Sequence, residues 1–112
     1  MRFILIVTYL ILLCSCNDYR TINLPNPQIN EVGLNEKFRI ILPENHTKGH
    51  IWQLSKNFEN GNAEYINSVW HGNEKGVYFN FKGKSIGQTE LRFDLIKYRD
   101  TIDTKTFIIK VK

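Results

Sequence analysis

The chain has 112 residues, 42% of them hydrophobic and 23% charged, with fifteen Lys and Arg against eleven Asp and Glu. That length suits one domain, and the small charge excess, scattered among acids, argues against a nucleic-acid-binding surface. Both cysteines, Cys14 and Cys16, lie near the N-terminus, so everything after them lacks a thiol nucleophile and a disulfide.

The N-terminal segment has the layout of an export signal. Met1 and Arg2 form a basic start, and Phe3 to Leu13 (FILIVTYLILL) is apolar and uncharged. Eleven residues are too few to span a hydrocarbon core, which takes about 20, but they suit the apolar region of a signal peptide. Leu13-Cys14-Ser15-Cys16 has the shape of a bacterial lipobox: an aliphatic residue three before Cys16 and a small one just before it. Cys14 does not fit, because Leu13 is too large for the narrow pocket of a signal peptidase. A lipoprotein signal over residues 1–15 is therefore expected, with Cys16 carrying the lipid that holds the chain to a bacterial membrane, on its periplasmic or surface face. The mature chain then carries a net +3.

Residues 16–28 contain Asn, Asp, Thr and two prolines, Pro25 and Pro27, with no apolar period. They read as a flexible tether, stiffened at the prolines. From Ile29 the pattern changes to short runs of period two. Phe38, Ile40 and Leu42 alternate with charged residues; Trp52 and Leu54 alternate with Gln53 and Ser55; Tyr65 to Val69 is a weaker run. Val77, Phe79 and Phe81 follow, then Leu91, Phe93 and Leu95, then Phe107, Ile109 and Val111. Such alternation marks strands buried on one face. No run keeps helical spacing over three turns. The expected fold of residues 29–112 is all-β, an immunoglobulin-like β-sandwich of six to eight strands, with the last strand paired in a sheet.

Catalytic chemistry is poorly represented. Ser55, Ser68 and Ser85 lie outside any Gly-x-Ser-x-Gly turn. His46, His50 and His71 lie in loops, where the four-residue spacing of the first two carries no helical meaning, and no third ligand stands beside them. Asn45-His46-Thr47 matches a glycosylation sequon, a modification not expected of a bacterial exported protein. The reading is a protein that is not an enzyme and holds no cofactor or metal. Three loops stand out instead: Pro43 to His50 (PENHTKGH), His71 to Gly76 (HGNEKG) and Lys97 to Lys105 (KYRDTIDTK). In a sandwich, loops at alternate strand junctions gather at one end, where a rigid scaffold can present them together.

These segments resemble a known family. LNEKFRIILPENHTKGHIWQLSK is similar to the first half of chagasin-type inhibitors of papain-like cysteine proteases, with Leu42, Asn45, Thr47, Gly49 and Trp52 in matching spacing. GNEKGVYFNFK resembles that family's Gly-rich loop and following strand, GQTELRF its next turn and strand, and KTFIIKV its last strand. The likeness runs from about Ile29 to Lys112. It implies a monomeric sandwich whose three loops wedge into the active-site cleft of a papain-like protease. The central loop is then Asn45, His46, Thr47, Lys48 and Gly49, with Thr47 nearest the protease's catalytic centre. The second loop is Gly72, Asn73, Glu74, Lys75 and Gly76, and the third is Tyr98, Arg99, Asp100 and Thr101.

The chain departs from the family at informative places. His46 stands where the family has a proline, Lys48 where it has a second threonine, and His50 where it has tyrosine. In the third loop Arg99 is kept, but Asp100 and Thr101 replace a proline and a large aromatic. Loss of a buried aromatic anchor commonly costs an interface about 2 kcal/mol or more. The resemblance thus implies a weaker or differently directed inhibitor. Two other readings stay open on the same scaffold: a non-inhibitory interaction module of the envelope, and an inhibitor of another enzyme such as a lysozyme.

Overall fold

The computed structural model describes residues 19–55 and 61–112. The expected signal segment 1–15 and the expected lipid site Cys16 lie outside them. The described residues form eight strands: β1 (Arg20–Ile22), β2 (Ile29–Val32), β3 (Lys37–Leu42), β4 (His50–Leu54), β5 (Ala63–Trp70), β6 (Val77–Gly83), β7 (Gly87–Lys97) and β8 (Asp100–Val111). They build two four-stranded sheets, ordered β1-β3-β6-β5 and β2-β8-β7-β4. The β1–β3 and β2–β8 pairs are parallel and the other pairings antiparallel.

The alternation in the sequence sets the faces. Phe38, Ile40 and Leu42 of β3, Val77, Phe79 and Phe81 of β6, Leu91 and Phe93 of β7, and Phe107, Ile109 and Val111 of β8 are all buried. Period two puts each set on one side of its strand, so two one-sided sheets share a single core. A chain of rings crosses it. Phe38 stacks on Phe81 at 5.4 Å, Phe79 meets Phe93 at 4.7 Å, and Phe93 meets Phe107 edge-on at 5.9 Å. Such tilted and offset contacts add to the area effect. Trp52, also buried, donates its indole N–H to the Pro43 carbonyl at 2.7 Å, so its one polar atom is satisfied. The last strand is paired as expected, and the Lys112 N–H bonds the Val32 carbonyl at 3.0 Å.

The segment expected as a tether is not one throughout. Arg20, Thr21 and Ile22 pair with Phe38, Arg39 and Ile40, and Ile22 is buried. The following crossover is tied down as well. The Asn26 N–H bonds the Thr106 carbonyl at 2.9 Å, and the Asn30 side chain, itself buried, donates to the Leu24 carbonyl at 2.7 Å. A three-residue strand with one buried apolar residue has too few positions to show a period, which is why the sequence hid it. Pro25 and Pro27 therefore belong to the folded domain.

The strand directions define two poles. β3, β5 and β7 run toward one pole and β6 and β8 return from it. The β3–β4, β5–β6 and β7–β8 connections, the three loops singled out in the sequence, all lie at that pole.

Candidate functional site: a pole of three joined loops

The central loop is held by its own hydrogen bonds. His46–Lys48 makes one 3-10 turn, capped by Asn45, whose side chain accepts from the Lys48 N–H at 3.3 Å. The Asn45 carbonyl also accepts from Lys48 and from His50, at 3.2 and 3.1 Å. Gly49 closes the turn with φ 74° and donates to the His46 carbonyl at 3.1 Å, a left-handed conformation that glycine takes without steric cost.

Below the turn sits a buried acid. Glu44 is 4% exposed, and one of its carboxylate oxygens accepts the Trp52 backbone N–H at 3.2 Å. Its other oxygen bonds His46 Nε2. The His46 ring in turn stacks on Trp70 at the end of β5, with centroids 3.8 Å apart and planes 14° from parallel. The family's proline would stiffen this position through φ. Here a buried carboxylate and an aromatic face grip the side chain instead.

The second loop is stitched to the first. Asn73 Oδ1 accepts the His46 backbone N–H at 3.0 Å, and Asn73 Nδ2 donates to Thr47 Oγ1 at 3.0 Å. Within the loop, the Gly76 N–H bonds the Gly72 carbonyl and the His71 N–H bonds the Gly76 carbonyl, both at 2.8 Å. Gly76 has φ 82°, and a Cβ there would stand 2.2 Å from the Leu42 carbonyl oxygen. Only glycine lets the loop press this closely on the end of β3. Gly72, Asn73, Glu74 and Lys75 complete it, the last three exposed.

The third loop corrects the expectation. The stretch from Lys97 to Lys105 is not an open loop: β7 runs to Lys97, β8 begins at Asp100, and only Tyr98 and Arg99 form the turn. Asp100 pairs with Lys97 and Thr101 with Ile96. Thr101, Ile102, Thr104 and Thr106 are β-branched, which suits a strand. The turn is a two-residue hairpin connection that opens with Tyr98 in a left-handed conformation, φ 59°. Tyr98 is 83% exposed and its ring lies against Gly49, with Cε1 3.6 Å from where a Cβ would stand. His50, where the family has tyrosine, opens β4 opposite Lys97 and is half-buried.

The pole thus brings together Asn45 to Gly49, Gly72 to Gly76 and Tyr98–Arg99, with Asp100 and Thr101 on the flank of the hairpin. Two aromatic rings border the central turn, Trp70 at His46 and Tyr98 at Gly49. Sequence reading missed Glu44 and Trp70. The only signal was Trp70's place just before the glycine-rich loop. Glu44, a charge beside a proline, reads as surface. Among the described residues no group of three or more His, Cys, Asp or Glu side chains could hold a metal.

No protein-family model and no curated protein sequence matches the chain. Solved structures do. The crystal structure of the cysteine protease inhibitor EhICP2 from Entamoeba histolytica is similar at a TM-score of 0.67, with 11% identity, over 84% of this chain and 93% of that one. The solution structure of amebosin is similar at a TM-score of 0.54, with 18% identity, over 86% of this chain and 98% of that one. The chain shares their fold, and the sandwich anticipated from the resemblance is the one observed.

Proposed function

We propose that the protein inhibits papain-like cysteine proteases by inserting its three polar loops into the active-site cleft, while a lipid on Cys16 holds it to the cell envelope. The observation that carries this reading is the convergence of the three loops at one pole, with the first two bonded to each other through Asn73. Fold similarity to a cysteine protease inhibitor supports it at the level of architecture. The chemistry suits a wedge. The central loop is folded into a 3-10 turn braced by Asn73, so it is not an extended peptide ready for cleavage. Its pre-formed shape lowers the ordering cost of docking. Trp70, Tyr98 and Arg99 are the residue types that most often anchor interfaces.

Titrating papain and a cathepsin with the purified protein tests this directly. Stoichiometric or competitive loss of activity is expected at micromolar concentration or below, and no inhibition at high micromolar concentration refutes it. A second reading, a non-inhibitory interaction module of the envelope, is favoured by the third loop. That loop is only two residues long, with Asp100 and Thr101 engaged in the strand ladder. Co-purification of a non-protease partner from native envelope, together with absent inhibition, would select it.

A further inference from the structure

We propose that the domain stands on an anionic bilayer by the pole opposite the three loops, so that lipid and wedge occupy opposite ends of the molecule. This rests on the reading of Cys16 as the lipid-bearing residue. The direction of β1 carries the inference. β1 runs parallel to β3, with Arg20 beside Phe38 and Ile22 beside Ile40. β3 climbs from Lys37 toward the central loop, so the chain joins the domain at the far pole. Tyr19 lies there, 5.7 Å from Lys37 Nζ and 5.0 Å from the Arg39 guanidinium.

Only Asn17 and Asp18 separate Cys16 from Tyr19. Three residue steps span at most about 11 Å, so a lipid on Cys16 leaves this pole no room to stand off from the headgroups. By contrast the eleven residues of β7 run from one pole to the other, about 33 Å at the usual strand rise.

The far pole is built to meet a membrane surface. Among the described residues, two of its turn tips carry exposed apolar side chains, Leu34 (46% exposed) and Ile86 (71% exposed). The tips are firmly held. The Leu34 N–H bonds the Lys112 carbonyl at 3.2 Å, and the Asn62 side chain donates to the Ile86 carbonyl at 3.1 Å. Of the acids nearby among the described residues, Glu31 and Glu36 are paired with Lys112 and Arg20 of the same pole, and Glu64 stands opposite Lys82 in the ladder. Lys84, beside Ile86, has no acidic partner among the described residues. Cationic side chains around exposed apolar tips match an anionic headgroup layer.

The test uses the full lipidated protein in vesicles of phosphatidylglycerol and phosphatidylethanolamine. An environment-sensitive fluorophore is attached at Ile86→Cys or at Thr47→Cys, with a quencher on the lipid headgroups. Strong quenching at position 86 and little at position 47 is expected. Lys84→Glu should lower the docked-to-free ratio reported at position 86 about fivefold, while the protein stays vesicle-bound. Equal quenching at both positions, or quenching at 47 alone, overturns the proposal. So does a blue shift at position 86 that depends on protein concentration without vesicles, which would make this pole a self-association surface. Mass spectrometry of the N-terminal peptide separates the two levels. A Cys16 without lipid refutes the anchor reading and this proposal with it; a lipidated Cys16 with position 86 unquenched refutes the docking pole alone.

Discussion

Glu44→Ala attacks the central loop from beneath, and its cost follows from the contacts removed. The carboxylate is 4% exposed, accepts the Trp52 backbone N–H at 3.2 Å, and bonds the His46 ring. Truncation leaves the Trp52 N–H buried without its partner, at about 1–3 kcal/mol. The hydrogen bond to His46 goes as well. We expect a total loss of about 2–4 kcal/mol, a large share of the roughly 5–15 kcal/mol by which a domain is stable. In urea the midpoint should fall with no change in m. The melting temperature should drop by at least about 8 °C for a domain of this size. If the loops are the inhibitory surface, affinity for papain should also weaken about tenfold, because His46 loses the group that fixes its ring. A variant within about 0.5 kcal/mol of the parent, the range of an ordinary surface change, would show that Glu44 does not brace the loop.

Three further outcomes are expected. Gly76→Ala places a Cβ 2.2 Å from the Leu42 carbonyl oxygen at φ 82°; a loss of about 2–4 kcal/mol in urea unfolding is expected, and a cost near zero would show that this approach is not tight. Thr47→Arg, at an exposed tip, should abolish papain inhibition while the loss of the Asn73 hydrogen bond lowers stability by no more than about 1.5 kcal/mol. Unchanged inhibition would mean the central loop is not the wedge. Glu31, whose carboxyl is held below its ordinary pKa by the hydrogen bond from Lys112 and then by the charges of Lys112, Lys110 and Arg20, stabilises the fold above the unfolded-state pKa of a glutamate and loses that contribution as pH falls through its lower folded value. Glu31→Gln should therefore flatten the acid limb of a plot of melting temperature against pH, and an unchanged limb would argue against the pairing.

The sandwich was legible because its strands alternate cleanly. Every apolar residue of the Phe38, Val77 and Phe107 runs that period two assigned to a core is buried. The Tyr65 to Val69 stretch looked weak for a physical reason. A bulge between Tyr65 and Asn67 shifts the register against β6, so the period breaks in the middle of β5. The first two loops were legible from glycine and asparagine, residues that supply positive φ and side-chain caps. Glu44 was not, since burial of a charge depends on partners that only the fold brings near. The hairpin at Tyr98–Arg99 was misread as a long loop because KYRDTIDTK is mostly polar, and polarity does not separate a loop from a strand that projects past the core. Residues Thr101 to Thr104 are exposed, yet Thr101, Asp103 and Thr104 pair with β7 across a bulge at Ile102.

That projecting hairpin bears on how the pole can contact a partner. A loop of nine residues could adapt its shape on docking, at the cost of ordering each side chain it fixes. A two-residue turn on paired strands cannot adapt, but it pays almost none of that cost. Its reach is confined to the Tyr98 ring and the Arg99 guanidinium. The aromatic surface that Asp100 and Thr101 fail to provide is present elsewhere, on Trp70, which is 44% exposed and braced by His46. The two rings touch the two ends of the central turn, one against His46 and the other against Gly49. A partner that closes on Thr47 must therefore accommodate an aromatic ring at each end of the turn. Trp70→Ala then separates two roles of one residue. Loss of binding with the urea midpoint unchanged would make Trp70 an anchor in its own right. Equal losses of binding and stability would make it only the support on which His46 rests.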